Sequence, residues 1–325
     1  MSVAAAIVGL GRWGRRLVDS VSQPPSNALR FTRGIAHTPA NAAAFLAERG
    51  VLPATWGEVL SDRGVQAVVL ASPHTQHGAQ VRAAAQAGKH VFVEKPFTLE
   101  AADARSAAQA CRAAGVVLAL GHNRRFLPAV AEMARRIRSG ALGEILQLEG
   151  NFSGNSGLGY TPDLWRARRE ESPAGGMTAM GIHIIDAFIH LAGPVSWVRC
   201  ESHRRAVSVE MDDTTSVLLG FRSGATGYLG TSVATGRIVR VQVFGTKGWL
   251  HLLDHHLLEV ADINGKVERL EFPKIDAERA ELEAFAAAVS GGPAYPVPVD
   301  EAIHGVEVME ATFRSAERDA EKMKI

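Results

Sequence analysis

The sequence predicts an α/β protein in two parts, an N-terminal doubly wound parallel sheet followed by an α+β domain on an open, mostly antiparallel sheet. Three observations predict it. In the first third, short apolar runs that suit strands buried on both faces alternate with Ala-rich stretches at helical spacing. A glycine cluster, Gly9-Leu10-Gly11-Arg12-Trp13-Gly14, joins the first strand-like run to the first helix-like one. Beyond about Arg125 the pattern becomes an alternation of apolar and polar residues broken by glycine turns, as in a sheet with one solvated face.

Taken in order, strands are expected at Val3–Val8, Phe31–His37, Ala67–Ser72, His90–Glu94 and Val116–Gly121, each too short for a stable helix. Between them, helices are expected at Arg12–Ser22, Pro39–Arg49, Gln76–Ala87 and Leu99–Ala114. Thr98 offers an N-cap to the last of these and Gly115 a stop. The second part opens with a helix at Leu127–Ser139. Strands follow at Ile145–Asn151, Val195–His203, Ser216–Phe221, Thr226–Thr231, Arg237–Gly245 and Trp249–Leu253, with turns at Arg222-Ser223-Gly224 and Asn264-Gly265. Helical spacing returns at Ala277–Ser290 and Val299–Lys322. The implied division is residues 1–123 and 124–325, with the C-terminal helix free to pack back on the first domain. Gly154–Gly159 and Arg166–Gly176 read as mobile loops, where function often resides.

Composition narrows the function. The 325 residues, 46% apolar, suffice for two cores. Lys plus Arg number 35 against 34 Asp plus Glu, so no basic excess points to nucleic acid or a membrane surface. Cys111 and Cys200 cannot build a disulfide framework or a tetrathiolate metal site. No run approaches the ~20 apolar residues of a membrane span. The opening residues lack the pattern of a signal peptide, so the expected location is the cytoplasm.

The glycine cluster is a G-x-G-x-x-G set directly after a strand and opening a helix. The first glycine permits a tight turn, the second lets the backbone approach a pyrophosphate, and the third allows close helix–sheet packing. In that frame Gly9, Gly11, Arg12, Trp13 and Gly14 are expected to hold a dinucleotide on a Rossmann-type domain. NAD sites place an acidic residue at the end of the second strand, on the adenosine ribose. Here that strand ends Gly34-Ile35-Ala36-His37-Thr38 with no carboxylate. His37 and Thr38 could contact a 2′-phosphate, which tilts the expected cofactor, NAD(P), toward NADP.

Further motifs follow in order: Ala71-Ser72-Pro73-His74-Thr75-Gln76-His77, Glu94-Lys95-Pro96, Gly121-His122-Asn123-Arg124-Arg125-Phe126, and Gly175-Gly176-Met177-Thr178-Ala179-Met180-Gly181-Ile182-His183-Ile184-Ile185-Asp186. Together with the glycine turn they resemble the glucose–fructose oxidoreductase/inositol dehydrogenase (Gfo/Idh/MocA) family along essentially the whole chain. The resemblance implies a nicotinamide-dependent oxidoreductase of sugars, cyclitols or related cyclic diols. Its second domain would supply the substrate pocket and the interface of a homodimer or homotetramer. It places the family's lysine on Lys95 and its Gly-x-His histidine on His183, with Asn123 and Arg124 after the fifth strand. Trp165-Arg166 resembles a pair near nicotinamide or substrate, and Ser72, Pro73, His77 and Glu94 fall beside the cofactor. Lys95, Asn123, Arg166 and His183 would meet the substrate. Many members carry an aspartate four residues before the histidine, whereas the residue here is Ala179.

The chemistry suits these residues. Oxidising an alcohol sends a hydride to nicotinamide and leaves a proton for the protein. A histidine, with a reference pKa of ~6.5, is a suitable base, so His183 is the expected proton carrier. Lys95 would stabilise the developing alkoxide. The structural alternatives are a core histidine partnered by Asp186, a solvated lysine, and a surface position for one of Arg124 and Arg125. His74 and His77 stand at i, i+3 without a supporting carboxylate or thiolate motif, and His251, His255 and His256 fall on a hairpin where His251 and His255 are not neighbours on a helix face, so no metal is expected. Two other functions remain open from sequence. One is a hydrolase or lyase cycling a tightly bound NAD. The other is a non-catalytic dinucleotide-binding protein that has lost the aspartate.

Overall fold

The computed structural model describes residues 2–325, which fall into two compact units. The first comprises residues 2–98, 102–123 and 276–299. Its elements are β1 (Val3–Val8), α1 (Arg12–Ser22), β2 (Leu29–Ile35), α2 (Pro39–Glu48), β3 (Leu52–Pro53), α3 (Trp56–Ser61), β4 (Ala67–Leu70), α4 (His77–Gln86), β5 (His90–Glu94), α5 (Ala101–Ala114) and β6 (Leu118–Gly121). The six strands are all parallel in the order β3-β2-β1-β4-β5-β6, the doubly wound arrangement. All residues of β1 and β4 are buried, as helices on both faces require. The short pair β3 and α3 has no counterpart among the expected elements. Its sequence signal is a capping box: the Thr55 hydroxyl accepts from the Glu58 N–H, and the Glu58 carboxylate accepts from the Thr55 N–H.

The second unit comprises residues 99–101, 124–275 and 300–325. It contains α6 (Pro128–Arg138), β7 (Ile145–Ser153), α7 (Ile182–Ala192), β8 (Val195–His203), β9 (Thr214–Phe221), β10 (Thr226–Ser232), β11 (Ile238–Gly245), β12 (Gly248–Leu253), β13 (Leu257–Asp262) and β14 (Val267–Glu271). The chain then returns to the first unit for α8 (Ala277–Val289) before α9 (Val299–Ala316) and β15 (Met323–Lys324). The nine strands run β14-β13-β12-β11-β7-β10-β9-β8-β15, with β7 and β10 parallel and every other neighbour antiparallel. One face packs on α7. Gly150 of β7 has no side chain because a Cβ there would run into Ile184 and Phe188 of that helix. The other face stays accessible, as the alternating burial along β9 and β11 shows.

α8 falls in the first unit and α9 in the second. Leu282, Phe285 and Ala286 of α8 enter the core formed by Leu17, Val21, Phe31 and Phe92, with the Phe92 and Phe285 rings 5.9 Å apart. The last helix stops at Ala316 rather than at the expected Lys322. There the Ser315 hydroxyl accepts from the Cys200 N–H at 2.9 Å and donates to the Glu321 carbonyl at 2.7 Å, turning the chain so that Met323 pairs with Val198 at the sheet edge.

Candidate functional site

The glycine turn lies where β1 hands over to its neighbours on either side, β2 and β4. Gly9 has φ +96, and a Cβ there would strike the Ala71–Ser72 backbone at the end of β4. A Cβ on Gly14 would overlap the Gly9 carbonyl oxygen. Gly11, the N-cap of α1, has open space where a side chain would be. The first and third glycines are therefore demanded by packing and the second by room for a ligand. Arg12 is exposed at the start of α1, whose first turn carries no acidic residue, so the helix end is open to an anion. A dinucleotide fits this cradle.

β2 stops at Ile35, two residues before its expected end, leaving His37 and Thr38 exposed ahead of α2. Thr38 occupies the N-cap position of α2 and its side chain makes no capping bond. On the other side of the switch, the Ser72 hydroxyl donates to Gln80 at 2.6 Å, and Pro73 leads into a short turn before α4. His77 is wholly buried, with its ring nitrogens 2.9 Å from the Pro96 carbonyl and 3.1 Å from the Ser72 carbonyl. It braces the loop after β4 against the Lys95-Pro96 segment.

Glu94 ends β5 in a buried position, followed by half-buried Lys95. Burial pushes the Glu94 carboxyl up to about 7, against the opposing pull of the Lys95 charge and the Trp13 indole. Its Oε1 is buried without a hydrogen-bond partner, and Oε2 accepts from the Lys95 N–H at 3.3 Å. Asn123, just after β6, is also buried. Its amide donates to Glu278 Oε1 at 2.8 Å while its Oδ1 has no partner. Glu278 and Asp276 lie at the start of α8, where both accept from Arg16 at 2.8 Å. Sequence reasoning missed them. Asp276 is legible as a helix N-cap, accepting from the Arg279 N–H, but nothing local states where that helix docks.

In the second unit a π-helical turn, Met177–Gly181, leads into α7, and His183 lies in the first turn of that helix. Its buried ring is 5.8 Å from the Phe152 ring, over which the Arg124 guanidinium sits at 4.4 Å. Ala179, at the family's aspartate position, packs with Phe152, Tyr160, Leu164 and Ala234 around buried Met180, so this wall is apolar. The two arginines separate by role, though neither is a surface charge. Arg125 is 3% exposed, donates two bonds to the Asp186 carboxylate at 2.8 Å, and reaches Glu301 at 2.7 Å. Trp165 and Arg166 stack at 4.0 Å on a short turn. His255, on the three-residue hairpin between β12 and β13, is pushed down to about 4 by burial, with the Arg124 charge adding to it. Among the described residues no helix is long and apolar enough to cross a membrane.

Comparison with known proteins gives these positions a context. Residues 3–122 match the model described as "Oxidoreductase family, NAD-binding Rossmann fold", and residues 130–251 match that of the "GFO/IDH/MocA C-terminal domain". D-apiose dehydrogenase of Paraburkholderia graminis is 31% identical over 205 residues, 61% of this chain. That match spans 53%, about half, of the relative's length. The D-xylose 1-dehydrogenase (NADP(+)) 2 of Haloferax volcanii is 29% identical over 78% of this chain and 79% of its own. The crystal structure of aldose–aldose oxidoreductase from Caulobacter crescentus, complexed with glycerol, superposes over the whole of both chains with a TM-score of 0.89 at 24% identity, a likeness of fold. With both of its family models matched in order and both units folded accordingly, the chain belongs to the Gfo/Idh/MocA oxidoreductase family.

Proposed function

We propose that the protein is an NAD(P)-dependent dehydrogenase or reductase of CH–OH groups in a sugar, cyclitol or related cyclic diol. The observation that carries this reading is the turn at Gly9–Gly14, with two glycines locked by packing and a third left open at a helix N-terminus. The names of the sugar dehydrogenases that the chain resembles agree with it. When bound, the nicotinamide supplies the hydride acceptor or donor, and the chain itself must handle the proton and the charge. His183 carries the proton of the reacting hydroxyl, and the Lys95 ammonium stabilises the negative charge that develops on that oxygen. Asn123 and Arg166 orient further hydroxyls. NADPH is the preferred form, since His37 and Thr38 are exposed at the end of β2 where no carboxylate stands to repel a 2′-phosphate. The accessible face of the nine-stranded sheet serves a homodimer or homotetramer.

A panel of sugars, cyclitols and cyclic diols, followed by nicotinamide absorbance, tests the proposal. Turnover is expected with at least one. Lys95→Ala and His183→Ala are each expected to lower it on the order of 10²–10⁴-fold. Full turnover in both variants overturns the assigned roles. Product formation without net reduction of the cofactor replaces the dehydrogenase by a lyase or hydrolase.

A further inference from the structure

The carboxyl-terminal edge of the first unit's sheet holds two buried acceptors with no hydrogen bond in place, Glu94 Oε1, which has the Trp13 indole beside it, and Asn123 Oδ1. Both lie at the ends of β5 and β6, beyond the β1/β4 switch, in the half of a doubly wound sheet that receives the second mononucleotide of a dinucleotide. Buried acceptors are normally satisfied, so a pair left open beside a ligand cleft points to donors on the ligand.

Glu278 touches one of the two acceptors' residues and acts electrostatically on the other. Glu278 accepts from the Asn123 amide at 2.8 Å through Oε1 and from Arg16 at 2.8 Å through Oε2, and only 14% of its side chain is exposed. The Asn123 amide group is thereby committed to Glu278, which leaves the carbonyl oxygen for something else. The charged groups acting on Glu94 are Lys95, the next residue in the chain, and Glu278 on α8, with the Trp13 indole on α1 beside it. From β6, the element packed alongside, Gly121 presents no side chain, and a Cβ there would press on the Glu94 carboxylate.

We propose that Glu278 is a positioning residue for the nicotinamide half of the cofactor cleft, fixing the Asn123 amide and bringing its carboxylate within electrostatic reach of Glu94. This rests on the dinucleotide reading above. The acceptor pair so arranged suits a donor-rich group, the hydroxyls of a ribose or the amide of a carboxamide. Glu278 delivers this from a helix that follows β7–β14 of the second sheet in the chain. Burial is what chiefly raises the Glu94 carboxyl to about 7, and the Glu278 charge adds to it by repelling the ionised form.

The test is the pH profile of NADPH and NADH binding, titrated by nicotinamide fluorescence on the full chain and three variants. The wild-type dissociation constant is expected to inflect near pH 7. Glu278→Gln keeps the shape and removes the charge, so its inflection moves to lower pH. Asp276→Asn shares the Arg16 contact and remains a good N-cap, and its inflection stays where the wild type has it. Asn123→Ala weakens binding by about tenfold with the inflection unmoved. This last variant decides the matter if Glu278→Gln does not fold. An inflection unmoved in Glu278→Gln, one moved equally in Asp276→Asn, or wild-type affinity in Asn123→Ala overturns the role of Glu278 and leaves the cofactor reading standing. Failure of the wild type to bind either dinucleotide overturns both.

Discussion

Gly11 and Gly14 sit three residues apart, and one added methyl group means opposite things at each. At Gly14 it overlaps the Gly9 carbonyl, so Gly14→Ala is expected to cost several kcal/mol of stability, on the order of other overpacked sites (about 1–3 or more), in a thermal melt. At Gly11 it meets nothing in the protein, so Gly11→Ala keeps the wild-type melting temperature and loses dinucleotide affinity. Loss of stability at Gly11 with affinity intact would reverse that assignment. Glu94 has its own pH signature. Its carboxyl keeps a proton to about 7 when folded against an ordinary value of 4.5, so the folded chain binds more protons across that window. Stability in the free protein therefore falls as pH rises from 4.5 to about 7 through this group. At ~1.4 kcal/mol per pH unit the loss is at most on the order of 3 kcal/mol. His255 acts oppositely. Its folded value of about 4 lies below the ordinary 6.5, so stability is lost as pH falls through that range. Glu94→Gln should remove the first slope in urea melts at several pH values and leave the second. A slope unchanged by the substitution would show that the carboxyl is not the group responsible.

Among elements, those that tie distant segments together were the least legible beforehand. β1, β5, α1 and β8 fall where hydrophobic periodicity and glycine punctuation place them, to the residue. Such signals are local, and they end at the element. Nothing in the Ala277–Ser290 pattern says that its apolar stripe is for Leu17 and Phe92 rather than for the neighbouring sheet. Phe285→Ala is expected to destabilise the first unit by about 3–5 kcal/mol and, through α8, to weaken dinucleotide binding as well. Unchanged affinity at full occupancy of the fold would separate α8 from the cleft. Arg125 is the corresponding tie in the second unit, linking the segment before α6 to Asp186 on α7 and Glu301 on α9. Arg125→Met leaves the Asp186 carboxylate buried without its cation, at a cost of about 3–5 kcal/mol. A melt within 1 kcal/mol of wild type (about the range of a surface ion pair) would contradict the buried tie.

For the molecule as a whole, the short contiguous motifs were legible as motifs in the sequence. The glycine turn, the Glu-Lys-Pro segment and the Gly-x-His helix start each occupy a strand end or helix start. What stayed hidden was carried by residues far apart in the chain. Glu278 reaches Asn123 across 155 positions, and Arg125 reaches Glu301 across 176. The apolar wall around Ala179 was invisible for the same reason, because Phe152, Tyr160, Leu164 and Ala234 come together only once β7 and the loops are folded. The proposed homo-oligomer is likewise a property of the assembled sheet, whose one face is covered by α7 and whose other alternates exposed residues along β9 and β11. Light scattering on the purified chain should give the mass of a dimer or tetramer, and a monomer at high concentration would remove the sheet from that role. The most direct test of a nicotinamide-dependent enzyme is a fluorescence titration of the purified protein with NADPH and with NADH. Saturable binding of both with NADPH the tighter is the predicted result. No binding of either, in protein that releases no dinucleotide on denaturation, would contradict it.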